Sequence, residues 1–170
     1  MKLNKNWGSY LPVLIQLVEK TEGAILELGM GIYSSPYLHY CCKITRRELI
    51  SYESDPYWFK LSRSYEDDFH KVMFIEDWKD LTIDKKYDIA LVDMKPGEAR
   101  KDAIKVLANH AKFIIGHDAQ DKVDYAYGYK EIYPLFKYKY LYTDSYPHSV
   151  ILSNFVDVTK LNLGKGEIIK

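Results

Sequence analysis

The segment that most constrains the fold is a short apolar run followed by two closely spaced glycines. Ala24 to Leu28 is apolar except for Glu27, and Gly29 and Gly31 follow at once. A run of this kind predicts a buried strand, and glycines allow the chain to turn tightly and a ligand to approach its backbone. Ser35 and Pro36 then suit a helix cap and a first helical position. The segment therefore predicts a strand, a glycine turn and a helix that cradle a nucleotide cofactor.

The rest of the chain alternates between strand and helix patterns. Further strands are predicted at 48–52, 72–75, 87–92 and 111–115, and helices at 10–20, at 55–65 and from Pro96 onward, the last with Ala103, Val106 and Leu107 facing inward. A segment of ambiguous helical character, 123–135, precedes two runs, 138–142 and 149–153, that predict an antiparallel hairpin. This order predicts an α/β fold, a Rossmann-like three-layer sandwich with a mostly parallel seven-stranded sheet and a C-terminal antiparallel hairpin. Residues 162–170 are expected to form a loose tail.

Length and charge limit the class of protein. A chain of 170 residues with 47% apolar residues predicts one domain over 1–170. Lys plus Arg and Asp plus Glu number 24 each, so no net charge attracts nucleic acid. No apolar run approaches the roughly 20 residues that span a membrane, and the Lys-rich start lacks the order of a signal peptide. The adjacent Cys41 and Cys42 are predicted to be reduced thiols, which favours a cytoplasmic protein.

Acidic residues follow three of the predicted strands. Glu53 follows the second strand, 22 residues after Gly31, Asp77 follows the third beside Trp78, and Asp93 follows the fourth. The carboxyl ends of parallel strands meet at one edge of a sheet, where ligands bind. Together with the glycine turn and the terminal hairpin, these residues resemble the class I S-adenosylmethionine-dependent methyltransferases over about residues 8 to 155.

The resemblance implies a set of cofactor contacts. In that family the glycine turn passes under the methionine part of the cofactor, the second-strand acid binds the ribose hydroxyls, and an acid after the third strand meets the adenine amine. These roles would fall on Gly29 and Gly31, on Glu53, and on Asp77 with Trp78 beside it. Glu27 would hold the turn or contact the methionine ammonium through water. The predicted cofactor contacts also include two serines, Ser34 and Ser54.

The residues themselves favour this cofactor over a dinucleotide. A ribose diol offers two hydroxyl donors, and one carboxylate such as Glu53 can accept both. Dinucleotide-binding turns usually carry a third glycine where this chain has Ser34, and Glu27 would repel a pyrophosphate. A cationic sulfonium is instead attracted by Glu27 or Asp93. S-Adenosylmethionine is therefore the predicted cofactor, with an NAD-type domain as an alternative.

Candidate catalytic residues lie at the ends of the fourth and fifth strands. Methyl transfer depends on placing the acceptor in line with the sulfonium carbon, and no base is universal. His117 could take a proton from the acceptor, and Asp118 could orient it or act itself. Asp93, His117 and Asp118 could also hold Mg²⁺ or Mn²⁺, as in the cation-dependent O-methyltransferases, but the Asp-Asn pair of those enzymes is Asp118-Ala119 here. No metal is predicted.

Other aromatic and histidine residues have several interpretations. Eight of the 16 tyrosines lie between Tyr125 and Tyr146, and they could form an acceptor platform, pack in half-buried strands or form a self-association face. By resemblance, Trp7 and Tyr10 would close over the cofactor. His148 is a candidate for the acceptor pocket, whereas three histidines, His39, His70 and His110, are expected at the surface.

The predicted function is S-adenosylmethionine-dependent methyl transfer to an oxygen or nitrogen acceptor on a small molecule or a side group. The alternative is a non-catalytic cofactor-binding or interaction subunit that pairs with a partner or a second copy. A membrane or a nucleic acid is not an expected partner.

Overall fold

The computed structural model describes residues 4–170, apart from the side chain of Lys5, so part of the Lys-rich start lies outside the described residues. One sheet runs through this part of the chain, in the order β3-β2-β1-β4-β5-β7-β6-β8. Its strands are β1 Ile25–Leu28, β2 Leu49–Glu53, β3 His70–Phe74, β4 Tyr87–Val92, β5 Ala111–His117, β6 Tyr138–Tyr142, β7 Ser149–Ser153 and β8 Gly166–Ile168. The first five strands are parallel. β7 pairs antiparallel with both β5 and β6, which is the predicted hairpin.

Helices cover both faces of the sheet. They are α1 Leu11–Glu19, α2 Ser34–Thr45, α3 Pro56–Ser62, α4 Arg100–Leu107, α5 Asp124–Tyr127 and α6 Tyr129–Ile132. α1 and α2 pack in one apolar core, and α4 and α6 pack in the other. Alternate residues of the central strands supply the two cores, because successive side chains of a strand point to opposite faces. In β1, for example, Ile25 belongs to one core and Leu26 to the other. The predicted α/β three-layer fold is confirmed.

The sheet has one strand more than predicted. β8 lies within the predicted loose tail and pairs antiparallel with β6, from Tyr142 opposite Gly166 to Tyr140 opposite Ile168. The expectation of a loose tail was wrong because β6 would otherwise leave its backbone donors and acceptors unpaired at the sheet edge. The hairpin thus continues into a short third antiparallel strand.

Two further boundaries differ from the predictions. α4 begins at Arg100, because Gly97–Ala99 first form a 3₁₀ turn after Pro96. This shift turns Val106 outward, to 44% exposure, and turns Ile104 into the core. β5 extends two residues beyond its predicted end and finishes at His117, so this histidine is held by a strand rather than by a loop.

Other features of the described chain bear on its class. None of the helices within residues 4–170 combines the length and apolar character needed to cross a membrane. Cys41 and Cys42 are free thiols on α2, and Cys42 is buried in the core.

Candidate functional site

The glycine turn joins β1 to α2 at the carboxyl edge of the sheet. Gly29 has a φ of 90°, and a Cβ on it would lie 2.5 Å from Cα of Met94, so glycine is required there by both conformation and space. A Cβ on Gly31 would meet no atom within 4 Å. Gly31 therefore faces open space, where a ligand can approach the backbone.

The start of α2 differs from the predicted cap. Tyr33 occupies the cap position, Ser34 begins the helix, and Ser35 lies in the first turn. The Ser35 hydroxyl accepts a hydrogen bond from the Gly31 N–H at 2.9 Å and donates one to Glu27 at 2.9 Å. The Ser34 hydroxyl accepts a hydrogen bond from Tyr10 at 3.1 Å. The two serines hold the turn against the strand beneath it instead of capping the helix in the predicted way.

Glu27 lies beneath the turn and is fully buried. Its carboxylate accepts hydrogen bonds from Ser35 and, at 2.6 Å, from Ser51 on β2. Burial raises the pKa of Glu27 from its ordinary 4.5 to about 7, although the hydrogen bonds from neighbouring serines favour the charged form. Glu27 does not line the cavity above the turn, so its interaction with any ligand there has to pass through the turn.

Glu53 ends β2 and lines the cavity, although its side chain is only 6% exposed. Its Oε2 accepts a hydrogen bond from the Met30 N–H at 2.8 Å, and its Oε1 accepts from the N–H groups of Ser54 and Asp55, each at 2.8 Å. Burial raises the pKa of Glu53, against the effect of these three amides. Asp55 is the cap of α3, as one alternative had it, but Glu53 is not a solvated neighbour of that cap.

One cavity of about 920 Å³ lies over the carboxyl ends of the parallel strands. The glycine turn, Glu53 and Ser54 border it on one side, and Asp93, Arg100, His117 and Asp118 border it on the other. Five aromatic residues also line it, namely Trp7, Tyr10, Tyr33, Trp58 and Tyr127. The cavity therefore combines a backbone turn, carboxylates and aromatic walls, which suits a cationic organic ligand.

The second side of the cavity is an acid–arginine cluster, formed by Asp93, Arg100, His117 and Asp118. Arg100 is 3% exposed and donates to Asp93 Oδ1 at 2.9 Å and to Asp118 Oδ2 at 3.2 Å. It also donates to the backbone oxygens of Met94 and His117. Burial disfavours its charge, but the neighbouring acids, Asp93 foremost, keep the pKa of Arg100 above its ordinary value. The guanidinium thus fixes the positions of both carboxylates.

His117 is held at both ring nitrogens. Its Nδ1 lies 2.9 Å from Asp93 Oδ1, and its Nε2 lies 2.9 Å from the Ser9 hydroxyl. Ser9 donates its one proton to the backbone oxygen of Pro147 at 2.6 Å, so His117 Nε2 donates to Ser9. Asp93 accepts from the other nitrogen. This arrangement leaves His117 without a lone pair for an acceptor proton, contrary to the expectation of a histidine base.

The cluster also contains the candidate metal ligands. Suitable atoms of Asp93, His117 and Asp118 lie within 4.8 Å of one another. However, the Arg100 guanidinium donates to both carboxylates and His117 engages both of its nitrogens. A cation would have to compete with a buried positive charge for the same oxygens, so these residues fit a divalent metal poorly.

Comparisons of sequence found no matching protein family and no matching curated protein. Solved structures match closely in fold. An O-methyltransferase from Bacillus cereus in complex with SAH has a TM-score of 0.60 at 14% identity, over 88% of this chain and 81% of that one. The SAH-bound methyltransferase PaMTH1 from Podospora anserina has a TM-score of 0.65 at 13% identity, over 89% and 79%. Spermidine synthase from Thermotoga maritima has a TM-score of 0.65 at 14% identity, over 93% and 63%.

The chain has the class I S-adenosylmethionine-dependent methyltransferase fold. The resemblance seen in the sequence is thus confirmed at the level of the fold. The same neighbours include methyltransferases and a spermidine synthase, so the fold alone does not choose the group that is transferred.

Two residues with a predicted adenine role lie away from the cavity of this methyltransferase fold. Asp77 caps a 3₁₀ turn by accepting from the Lys79 N–H at 2.9 Å. Trp78 is 8% exposed and packs in the core, where its indole N–H donates to the backbone oxygen of Lys95 at 2.6 Å. Neither residue lines the cavity. Ser54 does line it, and its hydroxyl donates to the same Lys95 oxygen at 3.0 Å.

The acceptor-side candidates are also divided. Trp7 and Tyr10 line the cavity, whereas His148 does not. Of the eight tyrosines between 125 and 146, Tyr127 is the one that lines it, and its hydroxyl donates to Asp118 at 3.2 Å. Most of this tyrosine-rich region therefore serves the sheet and its cover, as the packing interpretation expected.

The expectation for two histidines was wrong. His70 is fully buried and His39 is 7% exposed, because the two face each other between α2 and β3. His110 remains partly exposed. Sequence reasoning also missed Arg100, Trp58 and Ser9. The only early signal for Arg100 was its place on the helix that follows the Asp93 strand end, and periodicity does not distinguish a buried arginine there from a surface one.

Proposed function

We propose that this protein binds S-adenosylmethionine in the cavity and transfers its methyl group to an oxygen or nitrogen of a small molecule or an exposed side group. The observation that carries the proposal is the pairing of an open glycine turn with Glu53, a buried carboxylate at the adjacent strand end. Gly31 leaves room for the ligand, and Glu53 is fixed by three backbone amides at the cavity wall. A carboxylate held in this way is ready to accept hydrogen bonds from a ribose diol.

The charges around the turn support a cationic cofactor rather than a dinucleotide. The Gly31 N–H, which a pyrophosphate would need, already donates to Ser35. Glu27 lies under the turn, and Glu53 and Asp93 lie at its two sides. Carboxylates in these positions attract a sulfonium or ammonium group and repel phosphate oxygens. An NAD-type role is therefore disfavoured.

Of the three candidate catalytic residues, the two aspartates are better suited than His117 to act on the acceptor. Their bonds to Arg100 use Oδ1 of Asp93 and Oδ2 of Asp118. Among the residues that the structure describes, the second oxygen of each aspartate has no hydrogen-bond donor. Either oxygen could accept the acceptor's proton or orient its hydroxyl or amine. His117, which donates to Asp93, would position that carboxylate.

Ligand titration tests the cofactor. Calorimetry with S-adenosylhomocysteine and S-adenosylmethionine should show binding, and NAD should not bind. Glu53→Ala should weaken binding of S-adenosylhomocysteine by about 1.5 to 3 kcal/mol, because its hydrogen bonds to the ribose are lost. Glu76→Ala, an exposed carboxylate outside the cavity, is the matched control and should leave the affinity unchanged. Binding of NAD alone would overturn the proposal.

Methyl transfer separates an enzyme from a cofactor-binding subunit. The protein is incubated with methyl-labelled cofactor and panels of phenols, primary amines and peptides, and labelled product and S-adenosylhomocysteine are measured. An enzyme should release both in equal amounts, and Asp118→Asn should reduce the rate at least tenfold. Cofactor binding without transfer to any panel, in the presence of cell extract as a source of acceptor and partner, would favour the non-catalytic alternative.

A further inference from the structure

A chain of buried polar side chains runs from the glycine turn to the far side of β3. Ser35 links the Gly31 N–H to Glu27, and Ser51 links Glu27 to His70, whose Nε2 lies 2.9 Å from the Ser51 hydroxyl. His70 Nδ1 then lies 3.2 Å from His39 Nδ1. We call Glu27, Ser51, His70 and His39 the serine–histidine chain. Every member is at most 7% exposed, so water does not interrupt it.

The direction of the hydrogen bonds depends on the charge of Glu27. When Glu27 is ionised, it only accepts, so Ser51 donates its one proton to Glu27 Oε2. The Ser51 oxygen then accepts from His70 Nε2–H. His70 Nδ1 carries no proton in this tautomer and accepts from His39 Nδ1–H. All donors of the chain therefore point toward the carboxylate.

Protonation of Glu27 on Oε2 reverses the chain. The carboxyl group would then donate to Ser51, Ser51 would donate to His70 Nε2, and His70 would carry its proton on Nδ1. The same four side chains thus have two hydrogen-bonded arrangements that differ in the charge beneath the glycine turn. No side chain has to move for the exchange, because only protons change place.

Several titratable groups surround the chain. Those that act on Glu27 or face it are Ser34 and Cys42 from α2, Glu53 from β2, Tyr10 from the segment before α1 and Tyr65 from the turn before β3. β4 contributes the apolar Leu91 opposite Glu27. The histidine pair faces Lys43 and Asp67. Burial, together with His39, lowers the pKa of His70 to about 4, and burial and Lys43 lower the pKa of His39, so both rings are neutral where Glu27 titrates.

We propose that His70 is a positioning residue that acts through Ser51 to hold Glu27 as a carboxylate beneath the Gly29–Gly31 turn. The neutral imidazole polarises the Ser51 hydroxyl toward Glu27 without bringing a charge into the core. A carboxylate in this place favours a cationic ligand above the turn. Binding of such a ligand should in turn draw the chain into the arrangement that points toward Glu27 and release a proton.

The first test uses the free protein, so its result does not depend on any cofactor. The Glu27 carboxyl carbon is followed by NMR against pH, with Glu27→Gln to assign the signal. His70→Phe should raise the pH midpoint of Glu27 by about one unit, because the donor to Ser51 is lost. His70→Gln, which keeps an N–H donor, should restore most of the midpoint, and the surface variant His110→Gln should not change it. An unchanged midpoint in His70→Phe would overturn the proposal.

The wild-type protein provides a second test, which holds even if His70→Phe does not fold. Nitrogen-15 NMR of His70 should show the Nε2–H tautomer above the Glu27 midpoint and the Nδ1–H tautomer below it. A single tautomer of His70 across the titration of Glu27 would show that the two are not linked.

The coupling to ligand binding rests on the proposed function. Calorimetry of S-adenosylmethionine in buffers of different ionisation enthalpy should show that the wild type releases part of a proton near pH 7, whereas Glu27→Gln releases much less. Binding without this difference would contradict the coupling alone. No binding at any pH would contradict the proposed function, and the two NMR tests would still decide the role of His70.

Discussion

The two sides of the cavity hold their carboxylates in different ways. On the glycine-turn side, Glu27 and Glu53 are bound by neutral donors, namely serine hydroxyls and backbone amides. On the opposite side, Asp93 and Asp118 share the buried cation Arg100. Neutral donors stabilise a carboxylate without cancelling its charge, whereas a guanidinium does both.

This difference separates a responsive side from a fixed one. Burial raises the pKa of both Glu27 and Glu53, so on the glycine-turn side the charged form gains most when a cation arrives. The acid–arginine cluster already contains its cation, and Arg100 also binds the backbone at Met94 and His117. We therefore expect the first side to recognise a charged cofactor and the second to hold a rigid wall for the acceptor.

The largest expected effect comes from removing the shared cation. Arg100→Met should lower the free energy of unfolding by about 3 to 5 kcal/mol, because two largely buried carboxylates and two backbone oxygens lose their donor. Urea unfolding measures the loss. Lys101→Met, which removes a more exposed ion pair with Glu131 on the same helix, is the control and should cost less than about 1 kcal/mol. Equal losses in the two variants would remove the contrast between the sides.

The next effect concerns the neutral donors around Glu27. A folded pKa of about 7 against 4.5 means that the folded state binds the proton more tightly, so Glu27 stabilises the fold fully below pH 4.5 and loses this contribution as the pH rises through 7. Relative to the wild type, Glu27→Gln should therefore gain about 2 to 3 kcal/mol of stability between pH 5 and pH 8. Urea unfolding at both pH values measures the gain.

His70 gives the opposite slope and has to be controlled. Its pKa of about 4 means that its contribution is present above its ordinary 6.5 and is lost as the pH falls toward 4. Both proteins contain His70, so the difference between them isolates Glu27. A difference that stays constant from pH 5 to pH 8 would mean that Glu27 is ionised in the folded protein throughout this range.

A matched pair of glycine variants distinguishes folding from binding at the turn. Gly29→Ala should cost about 1 to 3 kcal/mol of stability, because its φ is 90° and its Cβ would meet the backbone of Met94. Gly31→Ala should change stability by less than about 1 kcal/mol but weaken S-adenosylhomocysteine at least tenfold, because its Cβ would enter the cavity. Thermal unfolding and calorimetry give the two numbers. Weaker binding in neither variant would remove the turn from the cofactor site.

The sequence predicted the responsive side better than the fixed one, for a physical reason. Glycines after an apolar strand and an acid at the next strand end are local signals, and the parallel order brings them to one edge. Arg100 and Ser9 are positioned by packing between distant segments, since Ser9 meets His117 across 108 positions of the chain. No local pattern contains that contact, and therefore the engagement of both His117 nitrogens was not foreseen.

The same limit explains the histidine error. His70 begins an edge strand and His39 lies on a helix with an apolar but mixed composition, so each residue alone favours the surface. They are buried because each satisfies the other and because Ser51 and Glu27 continue the hydrogen-bond chain. β8 was missed similarly, since its pairing partner β6 decides its conformation more than its own sequence does.

The smallest expected effect concerns Asp77, whose adenine role the resemblance implied. Its side chain caps the turn at Lys79 and lies outside the cavity, so Asp77→Asn should change the affinity for S-adenosylhomocysteine by less than about 0.5 kcal/mol. Glu53→Ala, measured in the same calorimetric series, should lose several times more. A loss in Asp77→Asn comparable to that in Glu53→Ala would require the 3₁₀ turn and the Lys95 segment to separate when the ligand binds. The hydrogen bond from Trp78 to Lys95 would then break, and the fluorescence of Trp78 would report it, with Trp58→Phe and Trp7→Phe removing the other two indoles.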